Sequence, residues 1–483
     1  MSDLICVFDV GTTGARTVVF NTNGKAIAKD YEEYQTLQQP VGISEQDPVI
    51  WWNAIKKTCN NVMHNIKSKD ITGISVAFQR QTVTFLDTAG NVLHPALTWL
   101  DEREESGAKD WEEEEGAFRR VMPKILWIKK NKQELFERTH KIAFVDTYIY
   151  NKLCDALVTE PTNGYWGILN LSSLNWDENL AQVYDIPIDK WPDISFPGDV
   201  IGELSSRAAK ELDLPPSIPV IMGSGDQQCS ALGLGVIEPN QAKITLGTGT
   251  FVDYVVEKPV KPAAGIPIFS IPSPIKGRWN LEGSMPGTGT AMKWFKENFS
   301  QLQIKESIEN KVNVYDILTA EAASIPPASE GLLILPLYMF RKGTFHGLGW
   351  NHNRAHMIRA IMESAALSAQ SYLQIMGAAK VSEVKADGGA MNSPIWAQIL
   401  ADVTSKKILL PEEKDGAAMG AAILGFYGTR TYSSFEKAIA NMVRFVDSKE
   451  PIKENVRIYK KLNRIFMPAI LELNESKRIT KDF

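Results

Sequence analysis

The residues best suited to chemistry gather in one stretch, IMGSGDQQCSALGLGVIEPNQAKITLGTGTF, from Ile221 to Phe251. It sets one acid, Asp226, among glycines behind an apolar run, and follows it with a Gly-Thr-Gly-Thr turn at Gly247 to Thr250 between two β-rich runs. A positioned acid can take the proton of an attacking hydroxyl. Backbone N–H groups of Thr248 and Gly249 in such a turn can face phosphate oxygens. These are two of the parts that phosphoryl transfer needs.

An earlier stretch, FDVGTTGARTVVF from Phe8 to Phe20, echoes ITLGTGTFVDYVV from Ile244 to Val256. Asp9 ends an apolar run where a carboxylate suits a hydrated Mg²⁺. Thr12 and Thr13 offer hydroxyl and backbone donors to phosphate, and Arg16 brings a permanent positive charge. Taken alone, the stretch fits an ordinary hairpin with flexible glycines equally well. Two similar strand–turn–strand units heading two halves predict an internally duplicated fold with phosphates held between the halves.

Several elements must position these groups. Leu4 to Asp9, Arg16 to Phe20 and Lys25 to Ala28 read as three antiparallel strands, with Asn23-Gly24 as a hairpin turn. Asp47 and Pro48 open a helix that runs to His64. The strand Ile71 to Phe78 delivers Gln79, Arg80, Gln81 and Thr82 at its end, groups that are costly to bury unpartnered but that also serve simply to solvate a strand end. The acids between Glu102 and Glu115 read as a solvated face. A helix follows at Pro123 to Asn131, then a strand and helix over Ile142 to Leu153, and Trp191 to Glu203 reads as a Pro- and Gly-marked connection. In the second half, strands at Pro267 to Ile271 and Trp279 to Glu282 lead through Gly283-Ser284-Met285-Pro286-Gly287-Thr288-Gly289 into a helix from Thr290 to Asn298, whose N-terminus suits an anion or nucleotide. Leu332 to Tyr338 reads as a buried strand and Arg354 to Met376 as a long helix. The glycine turn Gly388-Gly389 links a strand to the Ile395 to Thr404 helix and lets a flat ring or phosphate approach the backbone. Gly416 to Phe426 is a small-residue helix fit for close packing.

With 483 residues the chain exceeds what one core usually supports, so two domains are expected, with a cleft as the default site. The balance of 52 Lys+Arg against 57 Asp+Glu lacks a basic block and argues against nucleic acid as a partner. Cys6, Cys59, Cys154 and Cys229 show no CxxC spacing and read as buried reduced thiols. No apolar run reaches the ~18 residues a membrane span needs, so a soluble, cytoplasmic protein is expected.

In order along the chain, DVGTTGAR (Asp9 to Arg16), GDQQ (Gly225 to Gln228), LGTGTF (Leu246 to Phe251), GTFHGLGWNHNRAHMIRAIME (Gly343 to Glu363) and DGGAMNSPIWAQILADV (Asp387 to Val403) resemble the motifs of the FGGY carbohydrate kinase family. The resemblance covers essentially the whole chain. It implies an α/β fold of the duplicated actin-like, ribonuclease-H-like ATPase type, with ATP and a sugar meeting in an interdomain cleft. Residues 1–244 would then form the substrate side, with the first phosphate hairpin and the base, and residues 245–483 the nucleotide side. It further implies Asp226 as general base, ATP with Mg²⁺ as cofactors, Asp9 at the metal, and Thr12, Thr13, Arg16, Thr248, Gly249 and Gly289 around the phosphates. Gly388, Gly389 and Asn392 would lie near the adenosine, and a homodimer or homotetramer is expected.

Arg80, Trp99, Asp226, Gln227 and Phe251 match the glycerol-pocket pattern of glycerol kinases. Gln81 stands where those enzymes carry Glu, and an amide both donates and accepts, so hydroxyl recognition should differ at that point. PKILWIKKN and SPIWAQILADV look more like xylulokinases, whose Ser-Gly-Gln substrate motif is absent here. The acceptor implied is a glycerol-like polyol or a ketopentose. The stretch between Trp99 and Lys124 leaves the family's usual aromatic wall unidentified. A silent sugar or nucleotide sensor and an actin-like structural ATPase are the rival readings, and the joint presence of Asp9, Arg16 and Asp226 favours catalysis over both.

Overall fold

The computed structural model describes residues 3–37, 42–103, 121–260, 268–285, 287–335 and 343–479. The acidic run at 104–115, Pro267, Pro286 and residues 336–338 of the expected strand lie outside them. The chain packs as two units: Met1–Ile237 with Glu257–Asn280 and Asp415–Val443, and Glu238–Val256 with Leu281–Lys414 and Arg444–Phe483. The sequence reading put a single boundary between residues 244 and 245; by packing, unit two begins at Glu238 and unit one takes back two later segments.

Unit one is built on a six-stranded sheet. Its strands are β1 (Leu4–Val10), β2 (Gly14–Asn21), β3 (Ala26–Glu33), β4 (Ile71–Phe78), β8 (Val200–Glu203) and β9 (Pro219–Gly225), in the order β8-β9-β4-β1-β2-β3. β1 and β4 are apolar along nearly their whole length, as strands covered on both faces must be. β1, β4 and β9 run parallel, with Val10 level with Phe78 and Phe78 level with Gly225. The residues that follow, Gly11, Gln79 and Asp226, therefore leave the sheet at one edge. Helix α1 (Pro48–Met63) covers one face with Trp51, Trp52, Ile55, Cys59 and Val62, and the Asp47 carboxylate accepts the Val49 N–H to cap it. A smaller antiparallel sheet holds β5 (Val83–Leu86), β6 (Val92–Leu97) and β7 (Lys141–Phe144), and the chain leaves β6 directly into Thr98 and Trp99. Then come α2 (Met122–Asn131), α3 (Val145–Cys154), α4 (Pro161–Gly164) and α5 (Asp226–Gly233). Strand β8 falls in the stretch read as a plain connection; four residues carry too little alternation to announce a strand, and pairing with β9 creates it. All four cysteines are free, and Cys154 is half-buried rather than buried because it closes α3 at the surface.

In unit two, β10 (Ala242–Leu246) and β11 (Thr250–Val256) form a hairpin closed by Gly247, Thr248 and Gly249. With β12 (Trp279–Met285), β13 (Glu383–Asp387), β14 (Lys407–Pro411) and β15 (Phe445–Lys449) they are six neighbouring strands of a seven-stranded sheet, in the order β12-β11-β10-β13-β14-β15. Its helices include α6 (Thr288–Phe299), α7 (Arg354–Ile375), α8 (Pro394–Thr404) and α10 (Lys453–Ile479). Each unit thus sets an antiparallel hairpin beside a parallel strand: β1–β2 with β4, and β10–β11 with β13.

Between β14 and β15 the chain returns to unit one as α9 (Gly416–Gly428). Its glycines permit very close packing. A Cβ at Gly420 would lie 1.9 Å from the Cys229 carbonyl oxygen, and one at Gly233 would lie 2.0 Å from that of Gly416, so α5 and α9 cross nearly backbone to backbone. The crossing brings the N-termini of two helices, with Asp226 and Asp415, towards the end of β1.

Candidate active site

Asp9 sits opposite Arg16 in the β1–β2 register, and Arg16 Nε lies 3.0 Å from Asp9 Oδ2. Arg16 Nη1 makes a second, short bond to Asp415 Oδ2, while the Asp415 carboxylate also caps α9 by accepting the Ala418 N–H at 3.2 Å. Asp9 is only 4 % exposed, and burial raises its pKa to about 7, opposed by Arg16 and reinforced by the negative charges of Asp415 and Asp226. Asp9 in turn pushes the Arg16 pKa upward, so this guanidinium stays charged. Asp415 was not singled out in the sequence; its signal is an Asp immediately before a Gly-Ala-rich helix, the N-cap pattern.

The Gly11–Gly14 turn is held from several sides. Gln79 Nε2 donates to the Gly11 carbonyl at 3.2 Å, Gln46 Nε2 donates to the Thr12 carbonyl at 2.6 Å, and Thr12 Oγ1 donates to Gln79 Oε1 at 3.2 Å. Trp99 Nε1 donates to Thr12 Oγ1 at 2.8 Å. Trp99, matched to a substrate pocket by sequence, therefore also fastens the phosphate-type turn. Thr13 has an exposed side chain, and its carbonyl accepts the Tyr34 N–H.

Asp226 is the first residue of α5. The Gln227 N–H donates to its Oδ1 at 2.8 Å, and Arg80 Nε lies 3.3 Å from the same oxygen. The Arg80 side chain is buried and lies over the Trp166 ring at 5.9 Å, whereas 37 % of the Asp226 side chain is open. Gln227 is buried on the first turn of the helix. Gln81 adopts φ +64, and Lys124 Nζ fastens that turn by donating to the Gln81 carbonyl at 2.8 Å and the Thr98 carbonyl at 2.7 Å. Gln81 Oε1 is buried with no hydrogen-bond partner among the described residues. The sequence reading assigned Lys124 no part in this.

In unit two the Gly289 N–H donates to the Gly247 and Thr248 carbonyls at 3.0 and 3.1 Å, joining the start of α6 to the β10–β11 turn, which Gly249 closes by accepting the Gly247 N–H. Gly388 has φ +94, and a Cβ there would lie 2.4 Å from the Leu246 carbonyl oxygen, while the Cα of Gly389 faces open space. Thr245 Oγ1 donates to Asp387 Oδ1 at 2.5 Å, tying β10 to the glycine turn. Asn392 Oδ1 accepts from Lys414, and Phe251 is half-buried opposite Thr245. Unit one thus gathers Asp9, Thr12, Arg16, Arg80, Trp99 and Asp226, and unit two gathers Thr248, Gly249, Gly289 and Gly388. Among the described residues no group of three or more His, Cys, Asp or Glu could by itself hold a metal ion, and no helix is long and apolar enough to cross a membrane.

Comparison with known proteins places this geometry. The model of the FGGY carbohydrate kinase N-terminal domain matches residues 4–233, and that of the C-terminal domain matches residues 242–429. Gluconokinase of Bacillus subtilis is 26% identical over 492 residues, covering 97% of this chain and 95% of that protein. Xylulose kinase of the same organism is 26% identical over 501 residues, covering 98% of each. Among solved structures, gluconate kinase from Lactobacillus acidophilus superposes with a TM-score of 0.86 at 24% identity, covering 99% of this chain and 98% of that one. Plasmodium falciparum glycerol kinase with ADP gives 0.80 at 21% identity, covering 96% and 97%. The fold is the two-domain, duplicated actin-like ATPase fold of these enzymes. The chain belongs to the FGGY family of carbohydrate kinases, ATP-dependent phosphotransferases that act on the alcohol groups of sugars and polyols.

Proposed function

We propose that the protein transfers the γ-phosphate of ATP to a hydroxyl of an open-chain sugar, sugar acid or small polyol, with Asp226 as general base. The observation that carries this reading is the convergence of Asp226, Arg80, Asp9 and Arg16 at one end of three parallel strands. Arg80 and the Gln227 N–H both engage Oδ1 of Asp226, which leaves Oδ2 to take the proton of the acceptor hydroxyl as it attacks. Arg16, with donors from Thr12 and Thr13, offsets charge on the transferring group, and Thr248 and Gly249 hold the remaining phosphates from the turn that Gly289 braces. Gly388, Gly389 and Asn392 take the adenosine.

Mg²⁺ fits this site through its donor chemistry, since Asp9 and Asp415 both reach the Arg16 guanidinium and Asp226, paired with Arg80, lies near enough for its charge to act on Asp9. Magnesium commonly takes only one or two carboxylates alongside phosphate oxygens and water, and Asp9 and Asp415 would hold it. When bound it neutralises charge on the phosphates. Gln81 Oε1, buried and unpartnered among the described residues, is the acceptor we assign to a substrate hydroxyl. The names of relatives, gluconokinase and xylulose kinase, point to polyhydroxylated acceptors and support this class. As an ATP consumer the enzyme would work in the cytoplasm.

The test is sugar-dependent ADP release with Mg-ATP over gluconate, xylulose, ribulose, erythritol and glycerol. If no acceptor raises release above background, the reading fails. Asp226→Asn should lower kcat on the best acceptor by about 10²–10⁴, and an unchanged rate removes Asp226 from the base role.

A further inference from the structure

Behind Asp226 lies a buried polar cluster that the chemistry above does not use. Asp146, in the first turn of α3, accepts from Thr159 Oγ1 at 2.8 Å, the Thr147 N–H at 2.9 Å, Asn163 Nδ2 at 3.0 Å and the Glu160 N–H at 3.3 Å. It thereby clamps the 159–163 turn. Glu160 caps α4 by accepting the Thr162 N–H on Oε2 at 2.8 Å, and its Oε1 makes a short bond with Thr162 Oγ1. That same Oε1 accepts the N–H of Gly225, the residue immediately before Asp226, at 3.3 Å. Two residues earlier, the Gly223 N–H donates to the Tyr150 hydroxyl at 2.7 Å. Asp146, Glu160, Thr162 and Asn163 are fully buried.

Gly225 is where this cluster meets the site. A Cβ there would lie 2.4 Å from Arg80 Cδ and 2.9 Å from Thr162 Oγ1. The missing side chain lets Arg80 and the Thr162 hydroxyl of the Glu160–Thr162 pair close together on the space a Cβ would fill, directly ahead of the carboxylate that Arg80 engages. A cap for the four-residue helix α4 needs only the Thr162 contact and gives Glu160 no reason to reach into β9.

Resting on the reading of Asp226 as base, we propose that Glu160 is a positioning residue for that base, fixing the Gly225 peptide so that Asp226 meets Arg80 and the acceptor hydroxyl in reacting geometry. An amide at this position has one oxygen for two N–H donors, so Glu160→Gln must release either Thr162 or Gly225. A misplacement of ~1 Å at a reacting group costs on the order of 10²-fold in rate.

The experiment is a double-mutant cycle on the best acceptor of the panel, using wild type, Glu160→Gln, Asp226→Asn and the double variant, with kcat and both KM values measured for each. Glu160→Gln should lose roughly 10–100-fold in kcat, with the KM for ATP and acceptor changed less than about threefold. In the Asp226→Asn background the same change should cost less than about twofold, because the residue it positions is already gone. A lower active fraction or a general loosening would instead multiply through both backgrounds, and that result overturns the proposal, as does wild-type kcat in Glu160→Gln. If Glu160→Gln does not fold, Thr162→Ala takes its place in the cycle with the same criteria. An undiminished rate in Asp226→Asn sinks the base assignment itself and is read separately from the Glu160 arm.

Discussion

At the scale of single residues, several side chains serve two partners at once. Trp99 has one N–H donor, and it is given to Thr12 Oγ1 while the residue stays half-buried just past the end of β6. Trp99→Phe keeps the ring and removes the donor. A neutral hydrogen bond contributes about 0.5–1.5 kcal/mol, so the KM for ATP should rise roughly 2–10-fold through a looser Thr12 turn. Steady-state kinetics with varied ATP at saturating acceptor measure this, and an unchanged KM would separate Trp99 from the phosphate turn. Asp9, Arg16 and Asp226 were legible as chemistry because each stands at the end of a β-rich run beside glycines. The pairings were not. Arg80 and Asp226 are 146 positions apart and Arg16 and Asp415 are 399 apart, and nothing local reports such distances. Glu160 was passed over for a related reason: it stands in a polar, turn-rich stretch, and its reach to Gly225 depends on how β9 lies against α4.

At the scale of elements, the two strand–turn–strand hairpins were readable from their Gly-Thr turns flanked by β-branched runs, and both occur where expected. Helices opened by an N-cap residue and Pro, such as α1, were equally legible. Strand β8 was not, since its partner supplies it. The small residues of α9 announced close packing but not its partner, which is α5, and contact there is between backbones. Gly420→Ala would drive a methyl into the Cys229 carbonyl, and overpacking of this kind costs about 1–3 kcal/mol or more. A clear fall in Tm is expected, with reduced kcat in the folded fraction because Asp415 shifts with the helix. A wild-type Tm would show that the crossing yields without cost.

At the scale of the whole molecule, the buried acids set a pH dependence. Burial raises the pKa of Asp146 to about 7 and that of Glu160 to about 8, where exposed carboxyls titrate near 4. Between those limits the folded chain keeps protons that the unfolded chain has released, so stability falls as pH rises from about 4 towards 8. Thermal unfolding should show a lower Tm at pH 8 than at pH 5.5, and the difference should shrink in Asp146→Asn/Glu160→Gln. An undiminished slope in that variant would assign the effect to other groups. The return of α9 to unit one also bears on how the protein is made. Ile5 packs with residues of α9 in one apolar cluster, and a Cβ at Gly425 would lie 2.6 Å from the Ile5 side chain. On the ribosome, the face of β1 that α9 covers lacks that helix until more than 400 further residues have been synthesised, although Val18, Phe20 and the α5 residues Cys229 and Leu232 of the same cluster emerge earlier. The first strand synthesised must therefore wait, with Ile5 and Val7 incompletely covered, for a helix far along the chain, which makes completion of unit one a late step and leaves apolar surface exposed on its nascent form.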